Sequence, residues 1–200
     1  MISFIYLASQ SPRRAQLLEQ LGVKFELLLP GADEDAESLE AVLRNEAPRA
    51  YVQRVTGLKL DAAVARMKAR VLKAAPVICS DTTVALGKTI YGKPENEKDA
   101  VRMLTELSGN THRVLTAVAM QSGKKRVQAL SVSSVTFAPM TLQQIKAYVA
   151  SGEPMGKAGA YAIQGKAAAY ISRISGSHSG IMGLPMHETA TLLRELNLLK

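Results

Sequence analysis

The chain of 200 residues has no Trp, and its aromatic content is 4%. So few rings disfavour a platform that stacks the successive bases of a single nucleic-acid strand. A single cysteine, Cys79, excludes an internal disulfide and points to a reducing compartment. No apolar run reaches the length of a membrane span. Ile2 to Ala8 is apolar, but Ser9 to Arg14 interrupts it and no basic stretch precedes it, so it reads as a buried strand rather than an export signal. The expected location is cytoplasmic, with no membrane partner. No Gly-x-x-x-x-Gly-Lys-Ser/Thr occurs, which disfavours a P-loop mechanism. His112, His178 and His187 lack metal-ligand spacing and are assigned no catalytic role.

Negative charge is the scarcer sign. Asp plus Glu number 17 against 25 Lys plus Arg, a net charge of +8, which favours anionic ligands. The basic residues are nevertheless scattered, as in Arg66, Lys68, Arg70 and Lys73 on a predicted helix, with no nucleic-acid module, so nucleic acid is not the expected partner. Residues 1–200 are expected to form one domain, since the length suits a single aliphatic core.

Strands and helices alternate through the first half. Ile2 to Ala8 predicts a strand, Ser11-Pro12 an N-cap and first helical residue, and Gly22 the helix end. Phe25 to Leu29 predicts a second strand, followed by the acidic turn Gly31 to Asp35 and a short helix or loop over Glu37 to Ala47. Pro48 to Ala74 predicts a helix and Val77 to Ser80 a strand, leaving Asp81 at its C-terminal end. Thr82 to Leu86 continues extended, Ile90 to Pro94 is a loop, and Glu97 to Leu107 is a helix stopped by Gly109. Thr111 to Gln121 and Arg126 to Phe137 predict a hairpin, and Thr141 with Gln144 a capping box opening a helix to Ser151. Ala160 to Gln164 and Ala168 to Ile174 read as strands, Ser175 to Gly183 as a small-residue loop, and Pro185 as the start of a last helix.

Three constellations carry chemistry. Ser9-Gln10-Ser11-Pro12-Arg13-Arg14 joins a strand end to a helix N-terminus whose first turn holds two guanidinium groups, a place for phosphate. Alone, it also fits an N-cap with two surface arginines. Ser80-Asp81-Thr82-Thr83 puts a carboxylate at a sheet mouth, where α/β folds bind ligands. With Glu34 facing it, Asp81 suits Mg²⁺ or Mn²⁺, or one carboxylate takes a proton from water. Taken alone, these residues are better read as an Asx-turn closing the strand end at Asp81 and solvated loop carboxylates at Asp33, Glu34 and Asp35. Lys59 and Lys93 read as surface lysines by base rate, with Lys93 on the rigid loop Gly92-Lys93-Pro94. In Lys157 to Gly165, Gln164 follows an apolar stretch; a buried amide there would cap backbone or meet a base edge.

Together these segments resemble the Maf family of nucleoside-triphosphate pyrophosphatases. The resemblance runs through Leu7 to Arg14, Ser80-Asp81-Thr82, Gly92-Lys93-Pro94, Leu107 to His112, Lys157 to Gly165 and Gly183-Leu184-Pro185. It implies an α/β, ITPase-like fold: an elongated mixed central sheet flanked by helices, two lobes around an active-site cleft, and in many members a homodimer. The Ala-Gly-Ala-Tyr-x-Ile-Gln-Gly string resembles the subgroup acting on dTTP and UTP. The resemblance further implies Asp81 as catalytic proton acceptor; Arg13, Thr82 and Gln164 as determinants of substrate choice; Ser9, Arg14, Lys59 and Lys93 on the phosphates; Glu34 with Asp81 on the metal; and a divalent cation as cofactor. Ser80 and Ala162 depart from the family's usual Ala and Gly, and Gly57 before Lys59 is unusual. The rival readings are a non-catalytic nucleotide or nucleic-acid binding regulator of septum formation, and a phosphatase that removes only the terminal phosphate.

Overall fold

The computed structural model describes residues 4–32, 34–35 and 38–199. Its sheet is built outward from the apolar start of the chain. Strand β1 (Ile5–Leu7) is wholly buried and pairs in parallel with β2 (Phe25–Leu27) on one side and β3 (Val77–Leu86) on the other. Between β1 and β2 runs helix α1 (Pro12–Gln20), which buries Leu17 and Leu18. It starts at Pro12 as expected, but Ser11 does not cap it through its side chain; instead the Ser11 N–H donates to Ser9 Oγ at 3.2 Å. Ser9 thereby organises the turn.

From β3 onward the sheet becomes antiparallel. β5 (Thr111–Ser122) pairs with β3 from Val77 to Ala85, and β6 (Lys125–Phe137) returns on β5 through the turn at Gly123, as the sequence predicts. β4 (Thr89–Tyr91) folds back on the end of β3, and β7 (Ile171–Ser175) pairs with β6, giving the order β2-β1-β3-β5-β6-β7 with β4 also on β3. The α/β class with a mixed central sheet is therefore observed.

Helix α2 (Pro48–Ala69) covers one face, packing Leu60 and Ala63 against Tyr6, Cys79 and Ala119. The Thr56 hydroxyl donates to the Val52 carbonyl at 2.7 Å, and the helix continues through Gly57. It stops short of Ala74, with Val71 left-handed. On the opposite face α1 and α6 (Met186–Glu195) bury Leu18, Ile78, Val118, Met120, Leu184, Leu192 and Leu193. At the far end of the β5–β6 hairpin, α3 (Glu97–Leu107) and α4 (Leu142–Val149) enclose Leu104, Val114, Phe137 and Ile145. The capping box at Thr141 and Gln144 is present in both directions.

Four sequence expectations change. Ile90 to Pro94 is not all loop, because Thr89–Tyr91 finds an antiparallel partner in β3. Ala160 to Gln164 is not a strand: Ala158–Ala160 is a 3₁₀ turn containing left-handed Gly159 and Ala160, with the Gly159 N–H donating to the Gly92 carbonyl at 3.0 Å. Ala168 to Ile174 begins as the 3₁₀ turn Lys166–Tyr170 and becomes strand only at Ile171, where β6 offers an edge. Ser175 to Gly183 contains α5 (His178–Met182), capped by Ser177 Oγ on the Gly180 N–H. Of the expected helix or loop from Glu37 to Ala47, Glu37 lies outside the described residues; Ser38–Glu40 is a 3₁₀ turn and the rest is loop.

Candidate active site

β3 is paired with β5 along nearly its whole length on one side. On the other, β1 departs after Ile78 and β4 joins only at Val84, leaving residues 79–83 without a ladder partner. A cleft of about 810 Å³ opens at this gap. Asp81 therefore lies mid-strand rather than at a strand end: the antiparallel ladder with β5 carries β3 onward after its parallel ladder with β1 has ended.

Alternation along β3 divides the site between its two faces. Asp81 points toward α2, where Lys59 Nζ lies 2.5 Å from its Oδ1 and 2.7 Å from Glu40 Oε1. Lys93, on the loop after β4, reaches Glu40 at 3.3 Å. Burial acts to lower the Lys59 pKa, but Asp81 and Glu40 outweigh it and hold the ammonium above its ordinary value. Burial likewise acts to raise the Glu40 pKa, and Lys59 and Lys93 bring it below the usual carboxylate range. Glu40 was missed in the sequence. No motif surrounds it, and its role comes only from the placement of its loop over Lys59.

Ser80 and Thr82 point the other way. The Arg14 guanidinium donates from Nε to the Gly183 carbonyl at 2.8 Å, from Nη1 to Ser9 Oγ at 3.2 Å and from Nη2 to Thr82 Oγ1 at 3.5 Å. Burial lowers its pKa, yet an arginine keeps its proton there. Arg13 Nε donates to the Met182 carbonyl at 3.4 Å. Gly183, at φ +118, allows this approach, since a Cβ there would stand 3.4 Å from Arg14 Nε in a conformation that L side chains rarely adopt. Ser80 Oγ lies 2.8 Å from the Ala117 carbonyl and 2.9 Å from that of Gly183, so its burial leaves no unmet hydroxyl.

All the residues expected at the site line the cleft, but not as one cluster. Glu34 is held by the fork of Arg66, with Nη2 at 2.6 Å from Oε2 and Nε at 2.8 Å from Oε1, and also accepts the Gly31 N–H. The Arg66 hydrogen bond is the main cause that brings its pKa down to about 2. The structure therefore does not set Glu34 against Asp81; the carboxylate sharing a cation with Asp81 is Glu40. Asp33 lies outside the described residues. Gln164 is exposed, not buried, and its side-chain amide has no hydrogen-bond partner among the described residues. His112 is 1% exposed behind the cleft wall, 2.8 Å from the Tyr161 hydroxyl and stacked on Phe137.

Among the described residues no group of three or more His, Cys, Asp or Glu forms an all-protein metal cage. Asp81 and Glu40, converging on one ammonium, instead fit a hard divalent cation that takes one or two carboxylates and fills its remaining positions with phosphate oxygens and water.

An open edge inside an α/β sheet, with a buried carboxylate and cations on both faces of the strand, defines a protein that handles a multiply charged anion. The chain belongs to the Maf family, whose model, described as Maf-like protein, matches residues 4–196. It is 69% identical to a dTTP/UTP pyrophosphatase of Polaromonas sp. (strain JS666 / ATCC BAA-500), over 98% of this chain and 96% of the relative. It is 70% identical to one of Albidiferax ferrireducens over 97% of each chain, and 60% identical to one of Cupriavidus metallidurans over 99% of each.

Proposed function

We propose that this protein hydrolyses the pyrimidine nucleoside triphosphates dTTP and UTP to the monophosphate and pyrophosphate, clearing them or modified forms of them from the cytoplasmic pool. The observation that carries this is the single carboxylate of Asp81, 8% exposed, set between Lys59 and Lys93 on one side of β3 and Arg13 and Arg14 on the other. Relatives spanning essentially the whole chain carry the name dTTP/UTP pyrophosphatase.

Asp81 Oδ1 is engaged by Lys59, and Oδ2 has no partner among the described residues, leaving it to accept a proton from water. The water oxygen bonds to the α-phosphorus, the bond from the α-phosphorus to the bridging oxygen breaks, and pyrophosphate leaves with the electron pair. Lys59, Lys93, Arg13 and Arg14 offset the charge on the phosphate chain, and the Ser9 and Thr82 hydroxyls keep Arg14 aimed at it. A Mg²⁺ or Mn²⁺ ion held by Asp81 and Glu40 would neutralise phosphate charge; Glu34 would join it only by releasing Arg66. Gln164, a donor and acceptor on an exposed turn, faces the base.

The test is a product-resolved screen of dTTP, UTP, CTP, dATP, GTP and 7-methyl-GTP with Mg²⁺ or Mn²⁺. Monophosphate and pyrophosphate from dTTP and UTP are expected. Orthophosphate release would show terminal-phosphate removal, and a 7-methyl-GTP preference would overturn the base assignment alone. No turnover with salt-sensitive DNA binding would establish the regulator instead.

A further inference from the structure

The turn that carries Gln164 is held from behind by two residues with no part in the chemistry above. Tyr148, near the end of α4 and 4% exposed, donates its hydroxyl to Glu153 Oε1 at 2.8 Å and accepts the Ala162 N–H at 3.3 Å. Glu153 Oε2 accepts the Lys166 N–H at 3.0 Å. Backbone donors on both sides of Gln164 thus end on one phenol–carboxylate pair. Gly165 leaves room for the carboxylate in this position, since a Cβ there would stand 2.3 Å from Glu153 Oε1 and 2.5 Å from Oε2 and would push it aside. Burial acts to raise the Glu153 pKa, but the Lys166 N–H and the Tyr148 hydroxyl keep it below the usual carboxylate range, so the acceptor is ionised at neutral pH.

We propose that Tyr148 and Glu153 are positioning residues for base selection, fixing residues 162–166 so that the Gln164 amide meets the cleft in one orientation. This rests on the reading of the cleft as a pyrimidine nucleotide site. An exposed amide without a partner of its own is oriented only by its backbone. UTP and CTP differ in the donor and acceptor pattern of the base edge, so telling them apart demands a fixed amide. The phosphate groups meet other residues, so the chemical step is spared when this support is lost.

Three variants attack the device at different atoms. Tyr148→Phe keeps the ring and removes both hydroxyl bonds; Glu153→Gln keeps the shape and loses one acceptor; Gly165→Ala displaces the carboxylate. Steady-state kinetics with UTP and CTP are measured alongside amide hydrogen exchange. Tyr148→Phe should raise KM for UTP about tenfold with kcat within about twofold, and shrink the UTP to CTP ratio of kcat/KM by a similar factor. The Ala162 amide should exchange faster in Tyr148→Phe and the Lys166 amide in Glu153→Gln, while core amides keep their protection. The double variant Tyr148→Phe with Glu153→Gln should be no worse than the more damaging single one, as expected of a shared unit. If Tyr148→Phe fails to fold, the other two variants carry the same expectations. An unchanged UTP to CTP ratio with faster exchange at 162 or 166 overturns the proposal. A wild-type protein that does not prefer UTP to CTP fails the underlying nucleotide reading, and this is seen before any variant is made.

Discussion

Asp81 and His112 are both buried ionisable side chains in adjacent paired strands, and their surroundings separate their roles. Asp81 meets the Lys59 ammonium and the cleft, whereas His112 meets a phenol and a phenyl ring, and its Nδ1 has no hydrogen-bond partner among the described residues. Asp81→Asn keeps the volume and a carbonyl for Lys59 but cannot take the water's proton. Its kcat should fall by about 10³ or more, with thermal unfolding little changed; near-normal turnover would remove Asp81 from the mechanism.

His112 supplies a stability prediction. Burial lowers its pKa to about 4 from an ordinary 6.5. The unfolded chain therefore binds the proton more readily between those values, and the stability that His112 contributes is complete above pH 6.5 and lost as pH falls toward 4. Denaturant unfolding of His112→Gln should show a shallower decline than wild type across this window, and equal slopes would contradict it. Glu34, depressed to about 2 by Arg66, acts in a separate window, its contribution fading as pH falls from about 4.5 toward 2.

At the scale of elements, the helices whose ends carry their own chemistry were legible in sequence. α3 starts where Asn96 accepts the Asp99 N–H at 2.9 Å, and α4 where Thr141 and Gln144 close a capping box. Asn96→Ala should cost about 1 kcal/mol of unfolding free energy without altering kcat, because α3 packs at the hairpin end away from Asp81; a kinetic defect would refute that separation. Ala160 to Gln164 and Ala168 to Ile174 read as strands in the sequence because their apolar residues suggest extension. Gly159 is left-handed and lies against Val84, where a Cβ would stand 2.9 Å away, so the chain turns there beside β3 instead of running on as a strand. A local pattern cannot register a partner from a different strand.

For the whole molecule, the decisive feature is the interrupted edge of β3. Among the described residues, three carboxylates lining the gap already have a cation: Asp81 and Glu40 have Lys59, and Glu34 has Arg66, while Asp35 accepts the Ser38 N–H at 3.1 Å. The fold therefore needs no metal to neutralise clustered acid, even though the reaction is expected to. Dialysis against a chelator should abolish turnover, restored by Mg²⁺, while shifting the unfolding midpoint by less than about 2 °C; a larger fall would make the ion structural. No helix among the described residues is long and apolar enough to cross a membrane.

Ser9, Arg13, Arg14, Lys59, Asp81, Thr82, Lys93 and Gln164, which all line the cleft, could be named from the chain through its resemblance to a family, whereas local pattern marked only the helix start at Pro12 and the loop at Lys93 and left Lys59 and Lys93 as surface lysines. The alternating order of strands and helices likewise announced an α/β sheet. Tertiary structure alone decided which charges meet. It brought Glu40 rather than Glu34 to Lys59, gave Glu34 to Arg66, and set Tyr148 and Glu153 behind Gln164. Backbone hydrogen bonding and hydrophobic period act over a few residues and can be read in order. Ion pairs and buried hydrogen bonds act over a few ångströms between residues far apart in the chain, and only the folded sheet brings them within reach.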